Sequence, residues 1–199
     1  MNNEVGLSWE NFLNPDVTRP RLIAASVYIT GFEILKESII GRIRDFFTCG
    51  FNEKGDIIDP KYQTDVLSRN KNPVHASLDW LQHMKVIDQA DIAVFDQVKR
   101  CRNALAHDLP RLLARNGLPD DFVDNFRAMV PLLRKIEVWW VMNVEIPTNP
   151  DFADKEVDES GILPGTVISF QLLCEIALGS DEQGRLYYEQ FKKEADNRT

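Results

Sequence analysis

The sequence predicts an all-α fold: a bundle of four to five helices followed by a C-terminal helical appendage. Two observations carry this prediction. Apolar residues recur at intervals of three and four along several long segments, which is the spacing that places them on one face of a helix. No segment alternates between apolar and polar residues for long enough to form a sheet.

The same patterns divide the chain into four segments. Residues 1–17 are predicted to be an N-terminal capping tail, and residues 18–144 are predicted to form the helical bundle. Residues 145–165 contain three prolines and a run of Glu and Asp, which indicates a linker. Residues 166–199 are expected to be the appendage, in which a short apolar segment precedes a charged helix.

The first bundle helix is predicted to begin at Thr18, a residue that caps helices well, with Pro20 in its first turn. It is expected to run to Phe47 and to end at Cys49–Gly50, followed by a polar loop containing Gly55. Its apolar face consists of Ile23, Val27, Phe32, Ile34, Leu35, Ile39, Ile40 and Ile43.

Three further helices complete the predicted bundle. Asn72–Pro73 begins the second, with Asn as the cap and Pro at the first helical position. The third is expected from near Asp88 to about Leu109, where Pro110 should kink or restart the helix. The fourth is expected over residues 121–144.

Composition narrows the class of protein. The chain has 199 residues, of which 44% are hydrophobic and 27% are charged, as in an ordinary folded domain. Its net charge of −8 repels phosphate at long range, which excludes a general binder of nucleic acid or anionic membranes. A local basic cleft remains compatible with RNA binding.

Cysteine usage and hydropathy bear on the compartment. The three cysteines, Cys49, Cys101 and Cys174, are widely spaced and predict neither a disulfide framework nor a zinc knuckle. No apolar run is expected to cross a membrane, and Met1 to Trp9 lacks a signal pattern. We therefore expect a soluble protein of the reducing cytoplasm, with no membrane partner.

One segment of the third helix has residues suited to chemistry. On a helical wheel, the face of residues 99–108 combines Lys99, Arg102, Asn103 and His107 around the small Ala106. The bend expected at Pro110 would swing the imidazole towards the guanidinium. The opposite stripe is apolar and is predicted to enter the core: Val94, Val98, Cys101, Leu105 and Leu109.

These residue types suit the cleavage of RNA. A guanidinium binds phosphate bidentately and keeps its proton, whereas an imidazole exchanges a proton near neutral pH. His107 would be the acid or base and Arg102 would stabilise the developing charge as the 2′-hydroxyl attacks phosphate. Asn103 would orient either group, and the reaction would need no metal or cofactor.

The segment VFDQVKRCRNALAHDL resembles the R-x4–6-H motif of HEPN domains, with Arg102, Asn103 directly after it, and His107. The resemblance covers residues 18–144. It implies a metal-independent endoribonuclease of a toxin–antitoxin, abortive-infection or other antiviral system, with an antitoxin or defence-system protein as partner. It also implies a homodimer in which two motifs line one cleft.

The resemblance indicates two residues that would support the motif, and it makes one form of regulation unexpected. An acidic residue on the first long helix supports the motif in many HEPN proteins, and Glu33 in GFEILKES is the candidate here. Lys99 would add attraction for phosphate. In some members a Tyr two residues after the His is modified by a nucleotidyltransferase; Leu109 stands at that position, so this control is not expected.

Each assignment has a simpler alternative. If the motif has no catalytic role, Arg102 forms a surface salt bridge with Asp96 or Glu33. His107 then interacts with the helix dipole and with Asp108. His75 and His83 lack a third metal ligand, and Trp139–Trp140 are expected in the core or at a subunit interface. The alternative function is a non-catalytic HEPN module that binds RNA, a nucleotide or a protein.

Overall fold

A computed structural model describes residues 3–152 and 155–196 of the chain. The architecture is all-α, as predicted, with one small two-stranded sheet in the described residues. In chain order, the elements are α1 (Asn3–Leu13), α2 (Pro15–Phe46), β1 (Thr48–Asn52), β2 (Gly55–Ile58), α3 (Pro73–His83), α4 (Gln89–Arg111), α5 (Phe122–Trp140), α6 (Ile146–Thr148), α7 (Gly165–Leu178) and α8 (Asp181–Asp196).

The N-terminal segment differs from the predicted tail, because it contains helix α1. Asn14, rather than Thr18, caps α2: its side chain accepts a hydrogen bond from the Asp16 amide, and Pro15 occupies the first helical position. The Thr18 hydroxyl instead donates to the carbonyls of Asn11 and Phe12, at 3.1 and 2.9 Å. Thr18 therefore serves the end of α1 and not the start of α2.

Residues 48–58 form an antiparallel hairpin where the sequence predicted a polar loop. Asn52 pairs with Gly55, and the Asn52 side chain accepts a hydrogen bond from the Lys54 amide across the turn. Gly55 has a φ of +115°, a conformation that favours glycine. Periodicity missed this hairpin because its strands are mostly exposed and bury no continuous face.

The cap of α3 and the start of α4 near Asp88 match the prediction. The Asn72 side chain accepts from the amides of Val74 and His75, and Asp88 forms a reciprocal capping box with Asp91. The end of α4 lies two residues beyond the predicted one, and no separate helix starts at Pro110. The α-helix passes through Pro110 to Arg111 and continues as a π-helical turn over Leu112–Asn116.

Helix α5 is shorter than predicted, because its α-helical hydrogen bonding stops at Trp140. The backbone continues as a π-helical turn over Val141–Glu145 and then as the three-residue α6. Residues 149–164 contain only short 3-10 turns among their described positions. This region joins the bundle to the last two helices.

Helix α2 is the centre of the bundle and packs against α3, α4, α5 and α7. Its buried face includes Tyr28, Leu35, Ile39 and Ile43. The fully buried residues on the surrounding helices include Leu78, Leu81, Phe95, Val98, Leu105, Leu133, Ile136 and Phe170. The motif-bearing helix α4 is thus held by a core that it shares with α2 and α5.

Within the appendage, α7 joins this core and α8 packs on α7. Phe170 is fully buried against α2, where a Cβ atom on Gly31 would lie 2.3 Å from its ring. The absence of a side chain at Gly31 therefore lets α7 approach α2 closely. On α8 the large apolar side chains of Leu186, Tyr188 and Phe191 are exposed.

One segment, Glu159–Leu178, is long and apolar enough to cross a membrane by length and composition alone. Its α-helical part is α7, whose 14 residues span about 21 Å at 1.5 Å per residue. A bilayer core is about 30 Å thick. Because α7 is short and buries Val167 and Phe170 in the bundle, it is not a convincing membrane span.

Candidate functional site

The sequence motif lies on the outer surface of α4. Val98, Cys101 and Leu105 are buried, as the helical wheel predicts, whereas Val94 and Leu109 are only partly buried. On the opposite side, Arg102, Asn103 and Lys99 are half-buried, and Ala106 and His107 are exposed. The face that was expected to carry chemistry is therefore accessible from solvent.

Arg102 is held by contacts from two helices. Its Nη2 donates to Glu33 Oε1 on α2 at 2.6 Å, and its Nη1 donates to Asn103 Oδ1 at 3.3 Å. The guanidinium also lies over the ring of Phe32, 5.3 Å from its centroid. These contacts orient a cation at the surface between α2 and α4, with 29% of its side chain exposed.

Glu33 shares its carboxylate between two cations. Lys36, one turn along α2, donates to Oε2 at 2.9 Å while Arg102 occupies Oε1. The hydrogen bond from Lys36 does most to lower the pKa of Glu33; partial burial opposes this effect and the bond from Arg102 adds to it. The carboxylate therefore stays ionised between its two partners.

The guanidinium of Arg102 has limited capacity for a further ligand in this arrangement. Its Nε is buried and has no hydrogen-bond partner among the described residues. Both terminal nitrogens already donate to oxygen acceptors. A phosphate that binds here would share the terminal nitrogens with Glu33 and Asn103.

His107 is separate from this cluster. It follows Arg102 by five residues, which on a regular helix is about 7.5 Å along the axis and roughly 140° around it. Helix α4 continues as an α-helix through Pro110 to Arg111, so His107 lies within its α-helical part. In the described part of the chain, no hydrogen bond or ion pair reaches the imidazole.

The structure identifies the ion-pair partner of Arg102 and gives His107 no such partner among the described residues. Of the two acids considered for Arg102, it is Glu33 that makes the contact, while Asp96 lies 3.7 Å from His75. Asp108 lies 3.7 Å from Arg111, and no contact joins it to His107 in the described structure. Arg102 thus has the surface ion pair that both the functional and the simpler interpretation allow.

The α4 segment that carries the motif has a net charge opposite in sign to that of the whole chain. Residues 99–111 contain four cations, Lys99, Arg100, Arg102 and Arg111, and one carboxylate, Asp108, which is a local net charge of +3. This part of α4 therefore attracts phosphate at short range although the chain carries −8.

Sequence reasoning missed two members of the cluster. Lys36 lies three residues after Glu33 on α2, and this spacing alone indicates a helical ion pair. Phe32 was assigned only to the apolar stripe, because its contact with Arg102 joins two helices and is decided by their packing. Trp140 is buried and Trp139 half-buried in an aromatic cluster, so neither forms an open stacking surface.

Comparisons with protein families, with curated proteins and with solved structures found no match to this chain.

Proposed function

We propose that this protein is a metal-independent endoribonuclease of the HEPN type, acting in a bacterial toxin or antiviral defence system. The observation that carries the proposal is the Glu33–Arg102–Asn103 cluster, which holds a guanidinium at the surface of the positively charged α4 segment that also carries the exposed His107. A preorganised cation of this kind stabilises charge that develops on a phosphate.

The reaction is an internal transesterification of RNA. The 2′-oxygen attacks the adjacent phosphorus, the bond from phosphorus to the 5′-oxygen breaks, and the products are a 2′,3′-cyclic phosphate and a 5′-hydroxyl. His107 moves one proton, either from the nucleophile or to the leaving oxygen, and solvent water exchanges the other. Arg102 stabilises the equatorial oxygens, and Asn103 keeps the guanidinium in place.

A complete site requires a second copy of the chain. His107 and Arg102 of one α4 diverge around the helix, so they do not converge on one phosphate. Two copies related by a two-fold axis would place the histidine of one beside the arginine of the other. An antitoxin or a defence-system protein would then act by covering or opening the shared cleft.

The second candidate function is a non-catalytic module that binds RNA, a nucleotide or a protein. Two observations favour it: Glu33 already occupies Arg102, and no described side chain orients the His107 imidazole. Such a module would use the same positive face without transferring a proton.

The test is cleavage of a labelled RNA by the purified protein with and without a chelator. We expect chelator-insensitive cleavage, cyclic phosphate ends, and no cleavage of the corresponding DNA, which lacks the 2′-hydroxyl. His107→Ala should reduce the rate by about a hundred- to ten-thousand-fold. The matched control is His83→Ala, which removes an exposed histidine at the end of α3.

Arg102→Ala should reduce the rate by a similar factor, on the order of 10²–10³. The double variant should be little worse than either single variant, because residues that act as a unit are not additive. Cleavage by His107→Ala at the wild-type rate, or a requirement for a divalent metal, would contradict the proposal. An inactive wild type that still binds RNA would favour the non-catalytic module.

A further inference from the structure

We infer that a groove between α1 and the end of α4 binds one nucleobase of a single-stranded RNA, stacked on Trp9, next to His107. This inference rests on the proposed function and specifies how its substrate is held. The groove is lined by Ser8, Trp9, Phe12, Pro110 and Ala114.

The size and lining of the groove suit a single flat ring. Its volume is about 200 Å³, below the range of about 300–1,000 Å³ that is usual for pockets that enclose whole small molecules. The rings of Trp9 and Phe12 stand nearly perpendicular, at 86° with centroids 6.1 Å apart. A base that stacks parallel to the Trp9 ring therefore lies nearly perpendicular to the Phe12 ring.

Trp9 is 56% exposed, although its ring is large and apolar. The other tryptophans, Trp80, Trp139 and Trp140, are buried or half-buried. An exposed indole gains stacking energy when it covers a base, and this contact tolerates any sequence because every base has a flat face. The groove therefore favours single-stranded RNA over a duplex, whose bases are already stacked.

Contacts from three helices hold the groove in shape. The Asn11 side chain on α1 donates to the carbonyl of Ala114, at 3.4 Å. The Arg21 side chain on α2 donates to the carbonyl of Leu113, at 2.8 Å. The Thr18 hydroxyl closes the last turn of α1 by donating to Phe12. The two walls of the groove are thus connected independently of any ligand.

The groove adjoins the proposed chemistry. Pro110 follows His107 by three residues on α4, so the two are neighbours on the helix surface, about 4.5 Å apart along the axis. A base on Trp9 and Pro110 would leave its phosphate close to the imidazole. The local charge of +3 on residues 99–111 is complementary to that phosphate and its neighbours.

These features favour a nucleotide over a second copy of the chain. A stable interface between copies buries about 800 Å² on each partner, whereas this groove admits one ring. The cations that continue from the groove along α4 attract an RNA strand in either direction. An apolar helix of a partner would gain nothing from them.

The test is binding of a single-stranded RNA oligonucleotide with 2′-O-methyl groups, which cannot undergo the transesterification. Tryptophan fluorescence should be quenched on binding, and Trp9→Ala should remove this quenching and weaken binding about 5- to 100-fold. Trp9→Phe should retain most of the affinity. The matched control, Leu7→Ala, removes a side chain of α1 that is 59% exposed and should leave binding unchanged.

An abasic oligonucleotide of equal length provides a measurement that needs no variant. It should bind the wild type more weakly than the intact oligonucleotide and should not quench. Equal affinity for the two would overturn the inference. A shift of Trp9→Ala to a smaller species in sedimentation, with RNA affinity retained, would also overturn it and assign the groove to contact between copies.

Failure of the inference and failure of the proposed function give different results. If His107-dependent cleavage occurs and Trp9→Ala binds and cleaves like the wild type, the base-binding groove is wrong and the nuclease stands. If the wild type binds with quenching of Trp9 and cleaves no RNA, the groove stands and the nuclease is wrong.

Discussion

Arg102 is the residue on which the proposed chemistry depends, and its position is set mainly by Glu33. The ion pair joins α4 to α2, while Asn103 supports the guanidinium from the same helix. Because both side chains are partly exposed, at 29% and 41%, the pair contributes little to the free energy of unfolding, about 0–1 kcal/mol. Its larger effect is expected on the orientation of Arg102.

We predict that Glu33→Gln lowers the turnover number roughly 10- to 100-fold, because the guanidinium loses its fixed orientation. The measurement is RNA cleavage at saturating substrate, together with a urea titration of both proteins. The free energy of unfolding at neutral pH should fall by no more than about 1 kcal/mol. Glu37→Gln is the matched control, since Glu37 is an exposed acid one turn further along α2.

The dependence of stability on pH has a defined sign. The pKa of Glu33 is lowered in the folded state, so its pair stabilises the fold above the unfolded-state pKa of about 4.3. That contribution is lost as the pH falls through the folded-state pKa, and wild type and Glu33→Gln should then converge. Faster cleavage by Glu33→Gln would show that Glu33 competes with phosphate for Arg102 instead of positioning it.

At the scale of helices, α7 is part of the core although the sequence predicted it within an appendage. Phe170 is fully buried, and its ring lies against α2 at Gly31 and against Phe126 of α5. Helix α7 therefore covers the side of α2 and α5 that would otherwise be open. This covering holds the helix that carries Glu33.

We predict that Phe170→Ala lowers the free energy of unfolding by about 3–5 kcal/mol, because it leaves a cavity in the core. Urea denaturation followed by circular dichroism measures the change. Ile176→Ala on the same helix is the matched control: its side chain is 54% exposed, and its effect should stay below about 1 kcal/mol. Equal effects of the two substitutions would show that α7 does not belong to the core in solution.

At the scale of the whole molecule, the surface has apolar side chains that one chain leaves exposed. On α8 these are Leu186, Tyr188 and Phe191. The proposed reaction also requires a second copy, because Arg102 and His107 are about 140° apart around α4. Both features favour association of two chains.

We predict that the protein sediments as a two-fold dimer of the 22.9 kDa chain at micromolar concentration. Mixing His107→Ala with Arg102→Ala should partly restore cleavage, because a mixed dimer can contain one site with both wild-type residues. A single species of 22.9 kDa that cleaves RNA would contradict the two-chain site.

The sequence alone determined the elements whose signals are local. The three-and-four spacing of apolar residues predicted the long helices, and Asn72 marked the start of α3 through a side chain that bonds to nearby amides. The wheel placed Val98 and Leu105 inside and Arg102 and His107 outside for the same reason: a helix repeats every 3.6 residues whatever packs against it.

Only the tertiary structure decided the features that depend on packing between distant segments. The choice of Glu33 over Asp96 as the partner of Arg102, the groove between Trp9 and Pro110, and the burial of Phe170 on Gly31 each depend on parts of the chain far apart in sequence. The path of α4 through Pro110 also belongs here, because tertiary contacts of a long helix can offset the one hydrogen bond that proline removes. Local spacing contains no information on such contacts, since their energy comes from surfaces that meet only after folding.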